Sequence, residues 1–488
     1  MQSPLQPQPS AAARPRTQQP ATSTLRELRS SGHQLRSVKE EIRQNLLALM
    51  RAGQDRFPGI VGFDTTVLPH LERALLAGHD IVLLGERGQG KTRLIRTLTG
   101  LLDEWSPAIA DCEIHDHPYA PVCARCRRLV PEQGDDLAII WRHRDDRYGE
   151  KLATPDTSVG DLIGDIDPVK VAAGRTLGDP ETVHFGLVPR SNRGVFCLNE
   201  LPDLAERIQV ALLNVLEERD IQVRGYALRL QLDLLLVASA NPEDYTNRGR
   251  IITPLKDRFG AEIRTHYPRT LDDELALVWQ EARLPAAGSA APGPGGPMPG
   301  HLVEVIARFT RLVRASSAID SRSGVSARFA IAAAESVTAS AVRRAALTAE
   351  DQPVARVCDL PVIVDTLRGK VEFEVSEEGR EQEVLTHLLR RAIADTFRSS
   401  LGNADLSGLL AKFDRGGTIE SGELTPAREL LRRAGEVPGL ARAMERLGME
   451  GGESPGHAAA ALEFALEGLY LMRRLSKDSS DGATVYRI

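Results

Sequence analysis

Residues Ile81 to Thr92, Ile-Val-Leu-Leu-Gly-Glu-Arg-Gly-Gln-Gly-Lys-Thr, constrain this chain more than any other stretch. The apolar opening reads as a short buried strand, and Arg93 to Leu101 reads as a helix. Between them Gly85 to Thr92 spells G-x-x-x-x-G-K-T, the phosphate-loop pattern in the strand–loop–helix setting it requires. The glycines let the backbone curl with its N–H groups pointing inward at an anion. Lys91 is placed to reach the β- and γ-phosphates of a nucleotide, and Thr92 to offer its hydroxyl to Mg²⁺. The helix that follows aims its positive end at the same point. The expected ATP-contacting set is therefore Gly85, Glu86, Arg87, Gly88, Gln89, Gly90, Lys91 and Thr92. A purely structural glycine turn is the alternative, and the full pattern in its full context argues against it.

At 488 residues the chain has room for two or three domains, and 42% hydrophobic residues suffice for packed cores. Only 4% are aromatic, so those cores must rest on Leu, Val, Ile and Ala. A formal net charge of −6 gives no signal for general nucleic-acid or membrane-surface binding. No apolar run approaches the roughly 20 residues of a membrane span, and the N-terminus lacks a signal-peptide core. Five cysteines in so long a chain do not make a disulfide scaffold, so a cytoplasmic location is expected.

Residues 1–24 are rich in Pro, Gln, Ser, Thr and Ala and read as a disordered tail. From Leu25 to about Met50, Leu28, Leu35, Val38, Ile42, Leu46 and Leu49 recur at helical spacing and predict one amphipathic helix. A second helix is expected over Thr66 to Ala77. Strands are expected near Leu137 to Trp141, at Val195 to Leu198 and at Leu234 to Ala238, with a helix over Leu204 to Glu218. Ile221 to Val223 and Leu228 to Leu232 alternate like a hairpin. Strands alternating with helices predict a mainly parallel sheet with helices on both faces. Beyond the Pro/Gly/Ala linker Pro285 to Gly300 the chain reads as all-α, with one β-turn piece near Ile363 to Val375. The expected organisation is an α/β nucleotide-binding domain over 25–268, a helical lid over 269–349 and a helical C-terminal domain over 350–488.

Two further motifs bear on hydrolysis. Asn199-Glu200 closes the apolar strand about a hundred residues after the loop, where P-loop enzymes keep their Mg²⁺-and-water acidic pair. Glu200 there can polarise the attacking water as general base. The preceding residue normally brings a carboxylate; Asn199 brings an amide, which accepts a hydrogen bond from a metal-bound water without charge. Weaker Mg²⁺ binding or slower turnover is the expected effect. Asn241 ends the next strand and can orient the lytic water, and Arg258 lies on a segment suited to face a neighbouring subunit. Arg328 opens a helix from which it could contact the γ-phosphate.

Taken together, these residues resemble those of an AAA+ ATPase, specifically the ATPase subunit of magnesium chelatase and its MoxR-type relatives. The likeness is carried by Phe57-Pro58-Gly59-Ile60-Val61-Gly62, Gly85 to Thr92, Ser191 to Glu200, Ala240-Asn241-Pro242 and Asp257-Arg258-Phe259. The resemblance implies an AAA+ P-loop core with a parallel sheet, an all-α lid and a helical C-terminal region. It implies Glu200 as base, Asn241 as first sensor, Arg258 as arginine finger and Arg328 as second sensor. It also implies a homo-hexameric ring that hydrolyses ATP and a partner carrying a von Willebrand A-type domain. The hairpin near Ile221 to Leu232 and an insertion from Val159 fit the loops such rings aim at their centre. Three alternatives stay open: a MoxR-like chaperone, an enhancer-binding transcription activator, and an ATP-gated scaffold that barely hydrolyses. The activator's Gly-Ala-Phe-Thr-Gly-Ala loop and a C-terminal helix-turn-helix are both missing from the sequence.

One stretch falls outside this pattern. Cys112, Cys123 and Cys126 cluster within an insertion at 111–126, with His115, Asp116 and His117 between them. Three thiols and one histidine, His115 or His117, which the sequence does not separate, could hold structural zinc, which takes four tetrahedral N/S ligands. Reduced, uncoordinated thiols in a surface loop are the alternative. Cys197 and Cys358 read as core residues.

Overall fold

The computed structural model describes residues 16–174, 180–217, 230–242, 250–284, 296–320, 324–414, 416–449, 454–480 and 483–488. These fall into two compact units, one running to His266 and the other from Tyr267 to Ile488.

In the first unit the strands are β1 (Ile81–Leu84), β2 (Trp105–Ile109), β3 (Ile139–His143), β4 (Tyr148–Leu152), β5 (Gly164–Ile166), β6 (Val183–Phe185), β7 (Val195–Asn199), β8 (Leu235–Ala240) and β9 (Ala261–Arg264). Five of them form one sheet in the order β4-β7-β8-β1-β9, every neighbouring pair parallel. β1, β7 and β8 are buried along their whole length, the continuous apolar run that a sheet covered on both faces demands. Two separate apolar clusters pack against the sheet, one containing Val82, Leu198 and Leu236, the other Ile81, Val195 and Val237. Parallel strands end together, so the ends of β1, β7 and β8 deliver Gly85, Glu200 and Asn241 to one edge, where ligands of open α/β sheets bind. β2 and β3 pair antiparallel beside this sheet, as do β5 and β6.

The N-terminal region departs from expectation in two ways. Residues 16–24 are placed rather than loose: Trp141 donates its indole N–H to Thr22 O at 2.8 Å, and Ile139 N donates to Ser23 O at 2.9 Å. The single helix expected from Leu25 is two, Leu25–Ser30 and Val38–Arg51. Gly32 at φ +74° stops the first, and Ser37 with Glu40 forms a capping box that starts the second. Glu41 on that second helix forms a buried two-pronged ion pair with Arg147, at 2.7 and 2.9 Å. Arg147 also donates to Arg193 O at 2.6 Å, which ties the helix to the sheet. The hairpin expected near Ile221 to Leu232 lies mostly outside the described residues.

The second unit is helical as expected, with long helices at Gly300–Arg314, Ala327–Thr348, Glu381–Ser400 and Pro455–Leu471. One apolar core runs through it from Val278 to Tyr486, so the boundary expected at 349/350 falls inside a shared core. Of the β-turn piece expected near Ile363 to Val375, the first part is a helix, Val362–Leu367, and Phe373 makes an isolated antiparallel bridge to Ile319. The unit adds a small antiparallel sheet, with β10 (Ile419–Gly422), β11 (Ser476–Ser480) and β12 (Ala483–Arg487) in the order β10-β12-β11. Among the described residues no helix is long and apolar enough to cross a membrane.

Candidate active site

The loop after β1 takes the shape its glycines permit. Gly88 and Gly90 sit at φ +74° and +76°, backbone that other residues adopt only with strain. Gly85 is needed for a different reason, because a Cβ there would lie 1.9 Å from the Thr265 hydroxyl. Thr265 follows β9, and its N–H donates to Leu84 O at 2.7 Å while its hydroxyl donates to Gln89 Oε1 at 2.7 Å. A residue outside the motif thus clamps the loop across the sheet edge.

Lys91 opens the helix Lys91–Thr97 and is 7% exposed. Its ammonium donates to Glu86 O at 2.9 Å, to Asn241 Oδ1 at 2.8 Å, and to Gly85 O. Asn241 in turn donates from Nδ2 to Glu200 Oε2 at 2.9 Å. Phosphate-loop cation, expected sensor and expected base therefore form one hydrogen-bonded line across the ends of β1, β8 and β7. Glu200 has a left-handed backbone, φ +56°, a conformation that recurs where a site over-determines the chain.

Asn199 is 7% exposed and fully engaged. Its Oδ1 accepts from Ser239 Oγ at 3.1 Å and Thr92 Oγ1 at 3.5 Å, and its Nδ2 donates to Glu150 Oε1 at 2.7 Å. The orientation of the amide is fixed by chemistry, since two hydroxyls face one end and an acceptor-only carboxylate faces the other. Glu150 also accepts at Oε2 from Arg96 Nε and from the Tyr148 hydroxyl, both at 3.0 Å. Glu150 lies on β4, opposite Cys197 in the parallel register. It was not expected from the sequence, because no local pattern marks it. The oxygen donors gathered here suit a hard cation such as Mg²⁺. The Cys197 thiol is pushed up to about 12 by burial and stays protonated, as a core residue should.

The two expected arginines are placed differently. Arg258 ends the helix Thr253–Arg258 and is exposed, with the adjacent Asp257 carboxylate at 3.8 Å. Arg328 belongs to the second unit, exposed in the first turn of its helix.

The cysteine insertion is not a surface loop. Cys112, Cys123 and Cys126 are all buried, and their sulfurs gather with a carboxylate oxygen of Asp116, every ligand atom within 4.8 Å of the others. His115, one of the two histidines expected as the fourth ligand, is not in that group. It takes left-handed backbone, φ +57°, with its N–H donating to Cys112 O at 3.1 Å, and this tight turn presents the next residue to the thiols. Burial holds the His115 imidazole down to about 4 and pushes the Asp116 carboxyl up to about 6.

A family model described as the Sigma-54 interaction domain matches residues 176–258, less than a fifth of the chain. The magnesium-chelatase 38 kDa subunit of Rhodobacter capsulatus is 26% identical over 227 residues, 46% of this chain and 59% of that protein. Magnesium-chelatase subunit ChlI of Cyanophora paradoxa is 28% identical over 201 residues, 39% of this chain and 53% of that protein. The chain thus spans little more than half the length of these curated relatives. Among solved structures, a chain of the BchI–BchD complex of magnesium chelatase aligns at 20% identity and a TM-score of 0.35, covering 68% of this chain and 98% of that one.

Proposed function

We propose that this chain, an AAA+ protein resembling the ATPase subunit of magnesium chelatase, binds ATP with Mg²⁺ and hydrolyses it to remodel a partner protein. The observation that carries this reading is the line Lys91–Asn241–Glu200, which joins the helix after the β1 loop to the ends of β8 and β7. The carbonyls and amide now around the Lys91 ammonium hold it where phosphate oxygens would take it over as a charge-assisted contact. Bound Mg²⁺, reached by Thr92 and by waters on Asn199, would neutralise charge on the phosphates. Glu200 accepts the proton of the attacking water on its carboxylate, and Asn241 orients that carboxylate and the water together. Arg258, exposed at a helix end, suits a finger supplied to a neighbouring subunit's nucleotide, which supports a homo-hexameric ring. The second-sensor role of Arg328 rests on the resemblance, as do a cytoplasmic setting and a partner with a von Willebrand A-type domain.

Asn199 favours a second reading, an ATP-gated scaffold that turns over slowly. A MoxR-like chaperone role differs from chelation only in the partner moved. Mixing the chain with ATP and candidate partner subunits, and assaying metal insertion into porphyrin, distinguishes them. ATP-dependent insertion supports the chelatase reading; capture of a von Willebrand A-type protein without insertion supports the chaperone reading.

A further inference from the structure

The insertion between β2 and β3 brings together four groups that the nucleotide chemistry does not use. Cys112 and Cys123 sulfurs lie 4.0 Å apart, and Cys126 and Asp116 complete the set within 4.8 Å. Two sulfurs each about 2.3 Å from a tetrahedral zinc stand about 3.8 Å apart, so the observed spacing needs almost no adjustment. A disulfide would need about 2.05 Å. Backbone N–H groups point at two of the sulfurs, Asp116 N at Cys112 and Cys126 N at Cys123, both at 3.3 Å. Such donors stabilise thiolates, the form in which cysteine binds metal. Asp116 is wholly buried, and its Oδ2 accepts from Val122 N at 2.9 Å and Cys123 N at 2.8 Å. Its Oδ1 is buried with no hydrogen-bond partner among the described residues. A buried carboxylate oxygen left bare beside three thiols is a large penalty unless something takes it.

We propose that Cys112, Cys123, Cys126 and Asp116 bind one Zn²⁺ ion as a closed structural site. Three sulfurs and one oxygen suit a borderline-soft ion, and four protein ligands from a buried cluster suit a structural rather than a catalytic centre. Binding releases the thiol protons to solvent. The site clips a segment whose Ile114 packs in the same apolar cluster as Leu198 and Leu236. It also fixes His117, whose Nε2 meets Nε2 of His33 at 3.1 Å, so the clip extends to the N-terminal segment. His115 has no part in it.

The test is metal analysis of the full chain purified under reducing conditions, followed by exchange with Co²⁺ and recording of the visible and near-ultraviolet spectrum. Wild type is expected to hold one zinc per chain and, with cobalt, to show tetrahedral d–d bands and thiolate charge-transfer absorption. Cys123→Ser is expected to lose both. His115→Ala is expected to match wild type, whereas Asp116→Asn lowers zinc affinity at least tenfold, about 1.4 kcal/mol. Folded wild type with neither stoichiometric zinc after zinc exposure nor the cobalt spectrum overturns the proposal. So does loss of metal in His115→Ala with full retention in Asp116→Asn. These readouts need no nucleotide, so they stand or fall apart from the ATPase reading.

Discussion

Asn199 donates its side-chain amide to the Glu150 carboxylate at 2.7 Å, so the charge missing from position 199 sits one hydrogen bond away on the neighbouring strand. The amide oxygen at the other end faces the Thr92 hydroxyl. Polarised by the carboxylate, that oxygen becomes a better acceptor for metal-bound water than an isolated amide. Glu150 shares its charge with Arg96, at 3.0 Å, so it offsets the expected penalty of Asn199 in part.

This predicts an asymmetry between two substitutions. Glu150→Gln should raise the Mg²⁺ concentration needed for half-maximal ATPase activity roughly fivefold, about 1 kcal/mol of lost field at the metal. Asn199→Asp alone sets two carboxylates in contact and should destabilise the unit without a gain in rate. The double variant Asn199→Asp, Glu150→Gln moves the charge from β4 to the neighbouring β7 and should recover near wild-type Mg²⁺ dependence. A Mg²⁺ titration of the four proteins decides it; an unchanged Glu150→Gln would remove Glu150 from the account.

Lys91→Ala should leave the fold intact, because the strand-end contacts around the ammonium persist without it: Gly85 N donates to Ala240 O at 3.1 Å and Asn241 Nδ2 to Glu200 Oε2 at 2.9 Å. ATP affinity should fall by about a hundredfold or more with the loss of a charge-assisted contact to phosphate. Calorimetric titration with circular dichroism as the fold control checks this, and tight ATP binding by the variant would sink the site assignment.

Gly85→Ala should weaken nucleotide binding although Ala is small. The added methyl would lie 1.9 Å from the Thr265 hydroxyl, which must move and release Gln89 from its clamp. A drop of at least about tenfold in affinity is expected, partly restored by Thr265→Ala in the same chain. No recovery in the double variant would show that the loop fails for another reason.

Breaking the buried pair Glu41–Arg147 should be costly, since Glu41→Gln strands the Arg147 guanidinium and Arg147→Met leaves Glu41 to Arg193, 4.0 Å away. Glu41→Gln or Arg147→Met should each lower stability by about 3–5 kcal/mol in denaturant unfolding, and replacing both by apolar residues should lower it by less. Equal losses in single and double variants would contradict the pairing.

How much of this was legible in the sequence depends on distance along the chain. Gly85 to Thr92, Asn199-Glu200 and Asn241 were readable because each is a local pattern at the end of an apolar strand. Glu150 and Thr265 were not, because what places them is strand pairing, β4 beside β7 and β9 beside β1. The cysteine cluster is visible in the sequence, but the group gathered with its sulfurs is Asp116, between the two histidines that spacing offers. A left-handed turn at His115 decides which neighbour faces the sulfurs, and spacing does not report backbone handedness. Likewise Gly32 broke a helix whose apolar spacing ran on through it. The C-terminal strands stayed hidden because Ser-Lys-Asp-Ser-Ser carries none of the apolar alternation that marks a strand.

The central claim is that Glu200, held by Asn241 in line with Lys91, is the base of an ATP-hydrolysing site. It is tested most directly by comparing ATP binding and steady-state hydrolysis in wild type and Glu200→Gln. ATP affinity is expected within about threefold of wild type, with a hydrolysis rate lower by about a hundredfold or more in Glu200→Gln. Equal hydrolysis rates in the two proteins would contradict it.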